Sequence, residues 1–87
     1  MLIGSLMSDI ISVILNSIGS GKYLITTHAQ RRMAERKISH ADIRNCGKTG
    51  IALESEGKIR VRGLDCDGES LVIVCVNDNG VIVITVF

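Results

Sequence analysis

Residues 58–86 read KIRVRGLDCDGESLVIVCVNDNGVIVITV, and the period of this stretch decides the fold. From Lys58 to Leu64, Ile59 and Val61 alternate with Lys58, Arg60 and Arg62, the two-residue period of a strand with one dry and one wet face. Asp65-Cys66-Asp67-Gly68 is a turn, after which Leu71-Val72-Ile73-Val74-Cys75-Val76 is apolar at every position. Asn77-Asp78-Asn79-Gly80 carries an Asn-Gly hairpin signal and leads into Val81-Ile82-Val83-Ile84-Thr85-Val86. Upstream, Ile51-Ala52-Leu53 begins a first strand and Glu54-Ser55-Glu56-Gly57 is its turn. Four strands joined by short turns predict an antiparallel meander. Its last two strands are apolar on both faces. Helices can take one face; part of the first helix, self-association as a homodimer, or a partner must take the other.

Before Gly50 the period is helical. Ile3, Met7, Ile10, Ile11, Ile14 and Ile18 predict a first helix over about Leu6–Ile18, closed by Gly19-Ser20-Gly21. Tyr23-Leu24-Ile25 is a short extended segment. Thr27 is a candidate N-cap for a second helix over His28–Lys37. Ser39, with Asp42 three residues on, opens a third helix that should stop at Gly47. The expected architecture is α+β: N-terminal helices packed on a four-stranded antiparallel meander, in one domain over residues 1–87.

Composition narrows the function. Hydrophobic residues make up 46% of the chain, enough for the efficient core that a domain this small requires. Tyr23 and Phe87 are the only aromatics, which argues against an aromatic platform for single-stranded RNA. The net charge is +1, but all ten Lys and Arg lie between Lys22 and Arg62, where only four acids stand. Residues 63–87 carry four acids and no base. A basic middle beside an acidic end suits an anionic ligand, or a merely solvated charge pattern. The first twenty residues have no basic leader, Asp9 breaks their apolar run, and Ser5, Ser8, Ser12 and Asn16 share one side. This predicts an amphipathic helix rather than a signal peptide or membrane span, in a cytoplasmic protein. Cys46, Cys66 and Cys75 are odd in number and suit free thiols in a reducing compartment. They form no CxxC, and His28 and His40 form no HxxxH, so neither zinc nor another cofactor is expected.

The chemistry concentrates in Thr27–Ile38, THAQRRMAERKI. One helical turn separates His28 from Arg32 and another separates Arg32 from Arg36, so the three form one row flanking Ala29 and Met33. A proton carrier beside fixed positive charge suits phosphate chemistry. The ordinary alternative is a solvated rim in which Glu35 pairs with Arg31 or Arg32. Lys58, Arg60 and Arg62 form a second row, on a strand. Like charges two residues apart call for solvation, for opposing anions such as Glu54 or Glu69, or for a nucleic-acid backbone. Cys46-Gly47-Lys48-Thr49-Gly50 lacks the first glycine and the preceding strand of a phosphate loop.

The pattern IT-x-HA-xx-RM-xx-R-x-IS, from Ile25 to Ser39, resembles a family of small bacterial proteins catalogued as a domain of unknown function, the family numbered 4258. The R-x-R-G and D-x-D-G elements and the closing VIxITV strand extend the resemblance along the chain. It implies a RelE-like or motility-quorum-sensing-type ribonuclease toxin of a toxin–antitoxin pair, with RNA as substrate and a cognate antitoxin, often of zinc-finger type, as partner. It implies His28, Arg32 and Arg36 as catalytic residues and Thr85 as an accessory. Arg31, Lys58, Arg60 and Arg62 would then bind RNA. A second proton-transfer group is required, with Tyr23, His40 and Thr85 as candidates. A nucleic-acid or phosphate-ligand module without catalysis is the alternative, and an interaction protein using its apolar sheet is the third reading.

Overall fold

The computed structural model describes residues 3–87, with side chains from Asp9 onward. Three helices, α1 (Ile3–Gly19), α2 (Thr27–Arg36) and α3 (His40–Thr49), pack on five strands: β1 (Tyr23–Ile25), β2 (Ile51–Ser55), β3 (Lys58–Leu64), β4 (Ser70–Asn77) and β5 (Val81–Val86). The four-stranded meander is present as β2 to β5. The sheet is nevertheless five-stranded and mixed, in the order β1-β5-β4-β3-β2. β1 pairs parallel with β5, Tyr23 facing Val81 and Ile25 facing Val83. Three residues are too few to display a period, and β5 would otherwise end the sheet with an open edge.

The turns follow their chemistry. Glu56 and Gly57 both hold positive φ, 54° and 78°, between the paired Ser55 and Lys58. This two-residue connection matches the twist of a hairpin. Asn79 and Gly80 likewise have positive φ before β5.

The core lies between the helices and one sheet face. Ile14 and Ile18 of α1, Ala29 and Met33 of α2, and Ile43 and Cys46 of α3 meet Ile59, Val61, Leu71, Ile73, Cys75, Val81, Val83 and Val86. Ile3 and Met7, counted in the apolar side of the first helix, lie outside the described side chains. Farther along α1, Ile11 is half-buried, while Ile10 and Val13 are exposed.

Two helix boundaries differ from expectation. The N-cap of α2 is Thr26, not Thr27: its backbone is extended and its hydroxyl accepts from the Ala29 N–H at 3.1 Å. α3 runs through Gly47 to Thr49, because Gly47 is an interior contact and no cap. A Cβ on Gly47 would stand 2.7 Å from the Gly19 amide nitrogen, so α1 and α3 cross with backbones nearly touching. At the start of α3, the Ser39 hydroxyl accepts from the Asp42 N–H while the Asp42 carboxylate accepts from the Ser39 N–H, completing the expected capping box.

Candidate nucleic-acid interface

The sheet face opposite the core has no helix over it among the described residues. Lys58, Arg60 and Arg62 alternate with the buried Ile59 and Val61 and therefore share this outer face. Register decides what surrounds them. Arg60 sits between Leu53 of β2 and Val74 of β4, Arg62 between Ile51 and Val72, and Lys58 opposite Ser55. No direct cross-strand neighbour is acidic, so Glu54 and Glu69 do not neutralise the row in that position. Among the described residues the only ion pair is Arg32–Glu35, at 3.8 Å. Ile51 and Leu53 flank the cations at 67% and 68% exposure. The face is an open aliphatic surface carrying a stripe of unneutralised positive charge.

Phe87 and Thr85 join this face. The Arg60 guanidinium carbon stands 5.8 Å from the Phe87 ring centroid, within cation–π range. Thr85 arrives there through a β-bulge. Val74 pairs with Thr85 and Cys75 with Val83, leaving Ile84 as an extra residue. Without it, alternation from Val81 and Val83 would turn Thr85 into the core. With it, Val86 is fully buried and Thr85 lies beside Val74 on the outer side. Leu53, Glu54, Ser55, Glu56, Lys58, Arg60, Val74, Thr85 and Phe87 line one open cleft of about 710 Å³. A smaller hollow beside it lies among Ile51, Leu53, Arg60, Arg62 and Val72.

The helical row is anchored by the same bulge. The Thr26 N–H donates to the Val83 carbonyl at 3.0 Å, and the Thr26 hydroxyl donates to the Ile84 carbonyl at 2.9 Å. His28 thus emerges two residues beyond a point bonded to β5 beside Thr85. Ala29 and Met33 are buried, so α2 lies over the core side of the sheet. His28, Arg31 and Arg36 are exposed, and Arg32 is half-buried. Arg36 does not tuck toward the core as its position beside Ala29 and Met33 suggested; it occupies the last, solvent-facing turn. The helix row over β5 and the strand row on β3 therefore lie on opposite faces of the sheet, with β4 between the two strands. The row from His28 to Arg36 extends about 12 Å along α2.

Tyr23 and His40, both candidates for the second proton carrier, bond to each other. The Tyr23 hydroxyl lies 2.7 Å from His40 Nδ1, and the rings stack at 5.9 Å between centroids. Partial burial raises the Tyr23 phenol above its ordinary range, while the nearby Arg44 guanidinium pulls it the other way. The tautomer of His40 sets the direction of this bond, since the phenol can donate to a bare Nδ1 or accept from Nδ1–H. This pair stands at the start of α3, which follows the C-terminal end of α2, whereas His28 sits at the N-terminal end. Arg44 was not singled out from the sequence; it follows His40 by one helical turn, and that spacing was its one available signal.

The remaining polar groups are structural. The Asp42 carboxylate is held down to about 2 by the N–H groups of Ser39 and Cys66 that it accepts. Burial pushes the Cys46 and Cys75 thiols up to about 11, so both stay protonated. The exposed Cys66 thiol is also raised, first by its hydrogen bond to Asp42. No group of three His, Cys, Asp or Glu among the described residues is placed to hold a metal ion. No described helix is long and apolar enough to cross a membrane.

The fold and its two basic flanks define a small α+β domain with a cationic sheet face that no helix covers among the described residues. The family model described as "Domain of unknown function (DUF4258)" matches residues 25–87, and the chain belongs to that family. The match begins at the last residue of β1 and runs through β5, leaving α1 outside. No curated protein and no solved structure matches the chain.

Proposed function

We propose that this protein binds RNA and acts as a metal-independent endoribonuclease, the toxin of a bacterial toxin–antitoxin pair. The observation that carries the RNA reading is the outer row: Lys58, Arg60 and Arg62 stand among aliphatic and hydroxyl neighbours with no carboxylate directly across. Cations so placed favour an anion supplied from outside, and the phosphates of a single strand supply a series of them. Arg31 extends positive charge along α2.

In the cleavage step the 2′-oxygen of a ribose attacks the adjacent phosphorus. The new O–P bond forms as the bond to the 5′-oxygen of the next nucleotide breaks. A proton leaves the 2′-hydroxyl and a proton reaches the departing 5′-oxygen, giving a 2′,3′-cyclic phosphate and a 5′-hydroxyl. His28 would carry one of these protons, and Arg32 and Arg36 would stabilise charge on the phosphoryl oxygens. Thr85, on the outer face next to the Ile84 carbonyl that anchors α2, is the candidate accessory hydroxyl. A cognate antitoxin, of the zinc-finger type the resemblance implies, would be the protein partner.

Binding without cleavage is the second reading. The position of the α2 row, on the opposite sheet face from the strand cations, favours it. Expression of the wild type, His28→Ala and Arg36→Ala in bacteria, with growth and total RNA followed together, separates the two. Growth arrest with RNA fragments ending in 2′,3′-cyclic phosphate, lost in both folded variants, is the expected result. Intact RNA and normal growth from a folded wild type would remove the ribonuclease and leave the binding module. Arrest with intact RNA would keep the toxin and discard this chemistry.

A further inference from the structure

We infer that the outer-face cleft between the β2–β3 hairpin and the end of β5 is a nucleobase subsite, with Phe87 as its stacking surface. It rests on the RNA reading for its ligand in the cell, and it deepens that reading by placing a base where the strand row places only phosphates.

The cleft is unlike the rest of the outer face. Its aliphatic floor is Leu53 and Val74, and Val74 is 8% exposed although it faces away from the core. Phe87 is the only phenylalanine and remains 38% exposed. A phenyl ring left partly open beside a guanidinium offers two flat, polarisable surfaces, the pairing on which bases stack. Glu56 and Lys58 line the cleft on the hairpin side, where the turn at Glu56 and Gly57 closes it, while Glu54, opposite the buried Ile59, alternates to the core face. Arg60 and Arg62 lead away from it along β3 into the adjoining hollow. Lys58 and Arg60 in the cleft and Arg62 in the adjoining hollow offer cations to the phosphates on either side of a stacked base. Thr85 contributes a hydroxyl only because the Ile84 bulge turns it to this side. A volume of about 710 Å³ accommodates a purine with its ribose. Stacking on the aromatic face favours the larger ring system of a purine.

The chain contains no tryptophan, so Phe87→Trp introduces a single fluorescent reporter into the cleft. Titration of this variant with guanosine, adenosine, uridine and cytidine monophosphates should quench it, the purines most strongly, while ribose 5-phosphate at equal concentration should not. In the wild-type protein the ring resonances of Phe87, the only phenylalanine, should move upfield with guanosine monophosphate; this covers the case in which the variant misfolds. For a single-stranded oligonucleotide, Phe87→Leu should weaken binding by about fivefold to a hundredfold, the loss of one stacked base. An oligonucleotide lacking one base should lose the difference between the two proteins. Quenching by ribose 5-phosphate equal to that by nucleotides would overturn the subsite. So would unchanged oligonucleotide binding in Phe87→Leu while Arg60→Gln weakens it; that outcome leaves the RNA reading intact. Binding of mononucleotides without any gain for oligonucleotides would keep the subsite, identify free nucleotides as its source and remove the RNA reading.

Discussion

At the residue scale, single atoms decide local outcomes, and Gly47 is the sharpest case. Alanine in a helix interior is ordinarily favoured over glycine by up to about 1 kcal/mol. At Gly47 the added methyl would lie 2.7 Å from the Gly19 nitrogen and 2.8 Å from Ile18 Cγ2. The first is backbone and cannot rotate away. Overpacking of that kind costs about 1–3 kcal/mol, more than the helix gains. Gly47→Ala should therefore lower the melting temperature by several degrees, measured by thermal circular dichroism; an increase would mean that the α1–α3 crossing is loose. Asp42 gives the corresponding acid dependence. Its folded value of about 2 lies below its ordinary 3.8, because it accepts from two backbone N–H groups. The stability it contributes is complete above its unfolded value and is lost as pH falls from about 4 toward 2. Urea midpoints of wild type and Asp42→Asn should differ at pH 6 and converge near pH 2. A gap that persists at pH 2 would assign the effect to something other than the carboxylate charge. The capping box behind this value was legible in Ser39 and Asp42; the second donor, Cys66, lies 24 residues away in sequence and was not.

At the element scale, β5 shows how far pattern reading reaches. Its existence, its ends and its pairing with β4 follow from the apolar run and the Asn-Gly turn. The side each residue faces does not. Strict alternation puts Val81, Val83 and Thr85 together, whereas the structure puts Val81, Val83 and Val86 together. The bulge at Ile84 is tied by the Thr26 hydroxyl, 58 residues distant, so no local pattern announces it. The same tie explains why Thr26, rather than Thr27, caps α2, and β1 escaped notice as a fifth strand because it is three residues long. The bulge makes a ranked prediction. Val86→Thr buries a hydroxyl in a fully enclosed position and should cost about 1–3 kcal/mol in urea unfolding. Thr85→Val, on the half-buried outer side, should be close to neutral. A reversed ranking would restore plain alternation and withdraw Thr85 from the cleft.

At the scale of the whole molecule, the two basic flanks pose a question of path. The candidate residues were individually legible because charge and spacing are written in the sequence. Their grouping was not, since faces and register come from pairings across β2, β3, β4 and β5. Lys58, Arg60, Arg62, Thr85 and Phe87 stand on the outer face, and His28, Arg32 and Arg36 stand on a helix over the opposite one. An RNA strand that is gripped by the first set and cut by the second must pass around the β1 edge, where Leu24 is 70% exposed. The two shorter dimensions of the molecule are 25 and 21 Å, so a strand that engages both flanks must be longer than one held on the outer face alone. Salt dependence reads this directly, because each phosphate contact on a single strand contributes about 0.7 to the slope of log affinity against log salt. For a short oligonucleotide, Arg60→Gln with Arg62→Gln should reduce the slope by about 1.4, while Arg32→Gln with Arg36→Gln leaves it unchanged. For a strand several times longer, both double variants should reduce it. If the helix pair has no effect at any length, RNA does not reach α2. His28 then touches no phosphate, and the cleavage mechanism fails while the outer-face interface stands.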